Sequence, residues 1–131
     1  KNQTMLIKKK NKKNIMFLGF KKKIYKLFNQ SSIVCLPSYR EGFPKSLIEA
    51  SASGCAIVTT DVVGCRDAII DNFNGFLCEP KNVKSLVAKL EILIKNKKIR
   101  EKFCKNSRKL ALIKYDINIF VKQNLLNYTF K

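Results

Sequence analysis

Residues 33–60 read IVCLPSYREGFPKSLIEASASGCAIVTT. Two β-branched runs bracket this stretch. Ile33-Val34-Cys35-Leu36 closes on Pro37, and Ala56-Ile57-Val58-Thr59-Thr60 is opened by Gly54. Both runs are continuous rather than alternating, the pattern of strands covered on both faces of a parallel sheet. Between them, Pro44 to Ser53 suits a helix. Proline is favoured at the first helical position, where its missing N–H costs nothing, and Gly54 is placed to stop the helix. Strand, helix and strand in this order form a βαβ unit.

The same alternation continues outward. Upstream, Asn14-Ile15-Met16-Phe17-Leu18 closes on Gly19 and reads as a strand. Downstream, Gly75-Phe76-Leu77-Cys78 reads as a weaker one, opened by the turn dipeptide Asn74-Gly75. Helices are expected over Lys21–Asn29, Cys65–Ile70, Val83–Ile94, Ile99–Lys114 and Ile117–Tyr128. In Val83–Ile94 the residues Val83, Leu86, Val87, Leu90, Leu93 and Ile94 form an apolar stripe at helical spacing. The expected class is therefore α/β, a doubly wound Rossmann-like parallel sheet. In such folds ligands bind outside the carboxyl ends of the strands, which points to the loops after Leu18, Leu36 and Thr60.

The loop and helix start at 37–50 hold the candidate chemistry. The amides of Lys45, Ser46 and Leu47 would open the helix after Pro44, with no carbonyl before them to bond. They carry the positive end of the helix dipole, a ready site for phosphate. Gly42 lets backbone approach a ligand without a side chain intervening. Glu41 and Glu49, with seven residues between them, bracket this terminus. An ionised carboxylate only accepts hydrogen bonds, so it suits paired hydroxyls, as on a sugar or ribose. Structural alternatives stand beside this reading. Glu49 also reads as a solvated helix-surface residue, and Glu41 as a loop charge paired with Arg40.

Composition bounds the rest. The chain has 131 residues, 46% hydrophobic and 27% charged, and a net charge of +18. It holds 23 Lys against 4 Arg. Specific readers of phosphate and base lean on the planar arginine fork, so the lysine excess fits an AT-rich coding bias and also a general attraction to anionic surfaces. The apolar runs are far shorter than the ~20 residues of a membrane-spanning helix, and the lysine-rich opening does not suit a signal peptide. The chain opens on Lys1 rather than Met, which suits a piece of a longer protein. Five cysteines without a metal or redox spacing fit a reducing, cytoplasmic compartment. There is no histidine, so no step within this chain can use an imidazole.

The full string LPSYREGFPKSLIEASASG (36–54), followed by AIVTTDVVGCRDAI (56–69) and DNFNGFLCEP (71–80), resembles the retaining family-4, or group 1, glycosyltransferases. The likeness extends to IMFLGF (15–20) before it and KNVKSLVAKLEILI (81–94) after it. The resemblance implies a glycosyltransferase B-type fold of two Rossmann-like halves facing across a cleft. The whole of 1–131 would belong to the C-terminal, nucleotide-sugar-binding domain, incomplete and without its acceptor domain. The family's basic pair and glycine-containing donor loop have no counterpart in 1–14, so the isolated chain is expected to be inactive.

The resemblance also assigns roles. Glu41 would lie against the donor sugar as the catalytic carboxylate. Gly42, Phe43, Pro44, Lys45, Ser46 and Leu47 would meet the sugar and diphosphate, Glu49 the ribose, and Gly19 and Phe20 the nucleobase. No metal and no cofactor is implied; the substrate is a UDP- or GDP-linked sugar. The acceptor would be lipid-linked or a glycan, in bacterial surface-polysaccharide or lipid-linked glycan synthesis. The protein would be cytoplasmic and peripheral at the anionic inner face of the membrane, without specific nucleic-acid binding. Two rivals stand beside this reading. A nucleotide-sugar epimerase of the same fold is disfavoured by the absence of histidine. A basic nucleic-acid-binding module is disfavoured because the lysine runs at 8–10, 12–13 and 21–23 lack clustered arginine and aromatic residues.

Overall fold

The structure, a computed structural model, describes residues 14–115. The expected helix at 117–128 and the lysine runs at 8–10 and 12–13 lie outside the described residues. In chain order the elements are α1 (Tyr25–Phe28), β1 (Ile33–Leu36), α2 (Lys45–Ala52), β2 (Ala56–Thr60), α3 (Cys65–Ala68), β3 (Gly75–Cys78), α4 (Val83–Lys95) and α5 (Lys97–Lys114).

The three strands form one parallel sheet in the order β1-β2-β3. Ile33 pairs with Ala56 and Leu36 with Thr59; Ile57 pairs with Gly75 and Thr60 with Cys78. All five residues of β2 are buried, as the continuous β-branched run requires of a central strand. Successive side chains leave opposite faces of a strand, and the two cores follow that alternation. Ile57 packs with Leu47, Ala50, Cys55, Cys65, Ala68 and Ile69 on the α2 and α3 side. Ala56 and Val58 pack with Phe76, Leu93 and Phe103 on the α4 and α5 side. Helices thus cover both faces, the doubly wound arrangement expected. Gly75 is needed at the β2–β3 crossing: a Cβ there would sit 2.3 Å from the Ile57 carbonyl oxygen.

Four expectations are corrected. Residues 15–18 form no strand, and Ile15, Met16, Phe17 and Leu18 are all exposed. A strand exists only through a ladder. The ladder runs β1-β2-β3 and does not take in residues 15–18. The local apolar signal at 15–18 is therefore real, but it is not sufficient. Second, Pro44 is the N-cap of α2, with φ −73° and ψ 100°, rather than its first helical residue. Its carbonyl accepts from Leu47 N at 3.0 Å. The expected helices at 21–29 and 65–70 are also shorter, single turns at Tyr25–Phe28 and Cys65–Ala68.

The C-terminal helices are tied to the loops beside the sheet. Asn74 is fully buried; its Oδ1 accepts from Ile70 N at 2.7 Å and its carbonyl accepts from Ser107 Oγ at 3.2 Å. Asn106 Nδ2 donates to the Phe73 carbonyl at 2.8 Å. These side chains on α5 satisfy a turn that would otherwise bury polar backbone unpaired.

Candidate functional site

At the carboxyl ends of β1 and β2 lies a cleft of about 780 Å³, lined by Tyr39, Arg40, Glu41, Gly42, Asp61, Val62, Val63 and Arg66. The loop after β1 forms one wall and the loop after β2 the other. The two central-strand threonines hold the first wall. Thr59 Oγ1 donates to the Leu36 carbonyl at 2.8 Å, and Thr60 Oγ1 donates to the Ser38 carbonyl. Both threonines are buried, so their hydroxyls must find partners, and they find them on the neighbouring strand end.

Ser38 carries this order to the carboxylate. Its Oγ donates to Glu41 Oε1 at 2.7 Å in a half-buried setting. One oxygen of Glu41 is occupied and the other is left for further donors. Among the described residues Glu41 forms no ion pair with Arg40, so the loop-charge alternative does not describe it. Gly64 closes the loop from the other side. It has φ +85°, and a Cβ there would lie 2.0 Å from the Gly42 carbonyl oxygen and 2.6 Å from that of Glu41. Only glycine allows this backbone-to-backbone approach. A Cβ at Gly42 would meet nothing within 4 Å, so the space beside it is open to a ligand.

The cleft's charge is mixed. Arg66 Nε donates to Asp61 Oδ1 at 2.6 Å, an exposed pair on the second wall. Arg40 lines the cleft with no ion-pair partner among the described residues. The first turn of α2 begins immediately beyond, at Lys45. Lys45 and Ser46 have no carbonyl four residues earlier within the helix, so their amides remain donors at its positive end. The Leu47 amide is not one of them, because Pro44 takes it, and the Leu47 side chain is buried in the core.

The structure brings together some of the expected residues and not others. Glu41 and Gly42 line the cleft; Phe43, Pro44, Lys45, Ser46, Leu47 and Glu49 do not. Glu49 lies on α2, its side chain 34% exposed, with Lys45 Nζ 3.8 Å from its Oε1. The Phe43 ring meets Tyr115 edge-on, with centroids 6.1 Å apart. Gly19 has φ +63° and Phe20 is 94% exposed, and neither lines the cleft. Ser38, Thr60, Asp61, Gly64, Arg66 and Tyr115 also shape the cleft, and none of them is among the expected site residues. Thr60 and Asp61 could have been found from their place at a strand's carboxyl end. Ser38 bonds Glu41 only three residues on, whereas Gly64 and Tyr115 act through contacts across the fold that no local pattern announces. Tyr115 donates to the Asp67 and Ala68 carbonyls at 3.4 and 3.3 Å, and Lys114 Nζ donates to Asp67 O at 2.9 Å. The end of α5 thereby holds the α3 turn that carries Arg66. Burial, with the nearby Asp67 charge adding to it, pushes the Tyr115 phenol above its ordinary pKa.

A family model described as glycosyl transferases group 1 matches residues 1–110. The chain belongs to this family. A Campylobacter jejuni relative, N,N'-diacetylbacillosaminyl-diphospho-undecaprenol alpha-1,3-N-acetylgalactosaminyltransferase, is 40% identical over 114 residues, 87% of this chain and 30% of its own length. An Escherichia coli relative, UDP-Gal:alpha-D-GlcNAc-diphosphoundecaprenol alpha-1,3-galactosyltransferase, is 29% identical over 97 residues, 75% of this chain and 25% of its own. This group 1 glycosyltransferase chain thus spans well under half the length of these relatives. Among solved structures, the C-terminal domain of the group 1 protein LpcC from Francisella tularensis is 35% identical, with a TM-score of 0.69 over 79% of this chain and 53% of that one. Anabaena HepE, solved in complex with UDP, is 20% identical with a TM-score of 0.90 over 98% of this chain and 36% of that one; it has the same fold.

Proposed function

We propose that this chain is the donor-binding C-terminal part of a retaining glycosyltransferase that takes a UDP- or GDP-linked sugar and passes the sugar to a lipid-linked or glycan acceptor. The observation that carries the reading is Glu41: it sits at the carboxyl ends of β1 and β2, one oxygen fixed by Ser38, beside open Gly42 and just ahead of the first turn of α2. The free oxygen of Glu41 accepts from sugar hydroxyls. The amides of Lys45 and Ser46, with the Arg40 guanidinium, face the diphosphate. As the bond from sugar to phosphate breaks, the leaving diphosphate gains charge, and these donors stabilise it more than they stabilise the bound donor. Glu49 holds the ribose hydroxyls once Lys45 gives way. Gly19 and Phe20 would reach the nucleobase only by moving from their exposed positions.

The relatives support the substrate class. The Campylobacter enzyme's name describes an undecaprenol-linked acceptor and the Escherichia coli enzyme's name a UDP-sugar donor. With such an acceptor, the protein works in the cytoplasm and touches the anionic inner face of the membrane peripherally, in surface-polysaccharide or lipid-linked glycan synthesis. The test is a titration of the purified, isotope-labelled chain with UDP- and GDP-sugars, followed through its backbone amide resonances. Saturable shifts at Gly42, Lys45 and Ser46 are expected, with saturation moved to higher ligand concentration in Glu49→Gln. Shifts confined to the lysine-rich surface, with none at these amides, would overturn the donor-site reading.

A further inference from the structure

Helix α5 carries eight basic residues and one acidic residue, and their partners divide them sharply. Arg100 Nη1 donates to the Leu93 and Ile94 carbonyls at 2.7 and 3.0 Å, closing the end of α4. Arg108 Nη1 donates to the Ala52 carbonyl at 2.6 Å and Lys114 to Asp67 O. Lys97 lies 3.7 Å from Glu101, which neutralises the helix's single carboxylate. Four lysines remain: Lys98, Lys102, Lys105 and Lys109. All four are exposed, and none has an ion-pair or hydrogen-bond partner among the described residues.

Their spacing, four, three and four residues, places them in one row along the helix. That row lies opposite the buried Phe103, Ser107 and Ala111. It runs about 16 Å at 1.5 Å per residue. Lys98, Lys102 and Lys105 also line one shallow surface hollow. The row ends at Leu112 and Ile113, which are 50% and 59% exposed. Lysines followed by exposed aliphatic side chains on one helix face match the headgroup and upper acyl layers of a bilayer. The row contains no aromatic ring and no arginine fork, the groups that stack on bases and grip nucleic-acid phosphates.

We infer that the outer face of α5, from Lys98 to Ile113, is a docking surface for an anionic phospholipid bilayer. This deepens the membrane part of the proposed function and is independent of the donor site. Because the far end of the same helix is bonded to the α3 turn, docking along α5 brings the wall of the cleft that carries Arg66 close to the lipid.

Sedimentation of the purified chain with phosphatidylcholine vesicles, with and without phosphatidylglycerol, at physiological salt tests this. A lysine beside an anionic leaflet contributes about fivefold in partitioning. Replacing Lys98, Lys102, Lys105 and Lys109 together by Gln is expected to lower binding to the anionic vesicles at least tenfold. A charge-matched control replaces the exposed Lys22, Lys23, Lys26 and Lys84 by Gln and should lower it less than about threefold. Far-ultraviolet circular dichroism on both variants establishes that the helices are kept. Equal losses in the two variants would mean that net charge alone attracts the chain, and would overturn the proposal. So would wild-type binding that ignores phosphatidylglycerol, or a row variant that loses affinity for duplex DNA while keeping that for vesicles. A wild-type chain that docks on vesicles but gives no amide shifts with nucleotide sugars would separate this surface from the donor-site reading.

Discussion

Removing the Ser38 hydroxyl is the smallest change that reaches the cleft. Ser38→Ala leaves the Thr60 bond to the Ser38 carbonyl in place but frees the carboxylate of Glu41. Loss of a hydrogen bond to a charged group is worth roughly 1.5–3 kcal/mol. In a full-length transferase carrying this domain, Ser38→Ala should lower kcat/KM for the donor by about ten- to a hundredfold, and Ser38→Thr should restore most of it. Glu41 and Glu49 should separate in the same assay. The ribose does not react, so Glu49→Gln should mainly raise KM, whereas Glu41→Gln should lower kcat, because its contact tightens as the sugar bond breaks. Donor-saturation curves decide both; an intact kcat in Glu41→Gln with a lost kcat in Glu49→Gln would reverse the assignment. A third residue reports on stability. Burial, reinforced by the neighbouring Cys104, pushes the Cys55 thiol up from 9.0 to about 11, and its Sγ donates to the Phe28 and Ser31 carbonyls. Between those two values the folded state holds a proton that the unfolded chain has released, so stability should fall as pH rises through this window. Denaturant midpoints measured from pH 9 to 11 should show that slope. Cys55→Ala should flatten it in part, with Cys35, Cys78 and Tyr115, also raised by burial, keeping the remainder.

Among the elements, α4 and α5 were the most readable. The apolar stripe from Val83 to Ile94 holds because Leu93, fully buried, lands on Val58 and Phe76. Asn96 joins the two helices. Its N–H donates to the Ile92 carbonyl at 3.0 Å and its Oδ1 accepts from Ile99 N at 3.1 Å, so one residue caps both helices. Asn96→Ala should cost about 1 kcal/mol and Leu93→Ala about 2–5 kcal/mol, read as shifts in the urea midpoint with the slope unchanged. The misread element shows the other side. Residues 15–18 carry as strong an apolar signal as Ile33–Leu36, yet only the latter found a ladder, through Ala56–Thr59. A strand is a pairing, and pairing is a property of two segments. A helix closes its bonds within itself, so its bounds can be read from one.

On the scale of the whole molecule, this chain corresponds to 30% of the Campylobacter relative's length. The purified chain, incubated with nucleotide sugars and lipid-linked acceptors, should give no product above a Glu41→Ala control. Reproducible product would show that one half of the cleft suffices. Among the described residues β1 and β3 are the two edges of the sheet; Cys35 is exposed on β1, and such an edge invites pairing with another chain.

The sequence by itself determined the parallel α/β class, the two covered faces of β2, the long helices and the family. Each of these follows from residues close along the chain: β-branched runs, 3.6-residue periodicity, and a string of motif residues in fixed order. Tertiary structure alone decided the geometry of the cleft. Thr60 reaches Ser38 across 22 residues of sequence, Gly64 admits the Glu41–Gly42 loop against its own backbone, and Tyr115 meets Ala68 from 47 residues away. Those contacts depend on strand register and on where α5 docks. Register and docking minimise buried, unpaired polar groups over the whole fold, a condition that no local stretch of sequence can express.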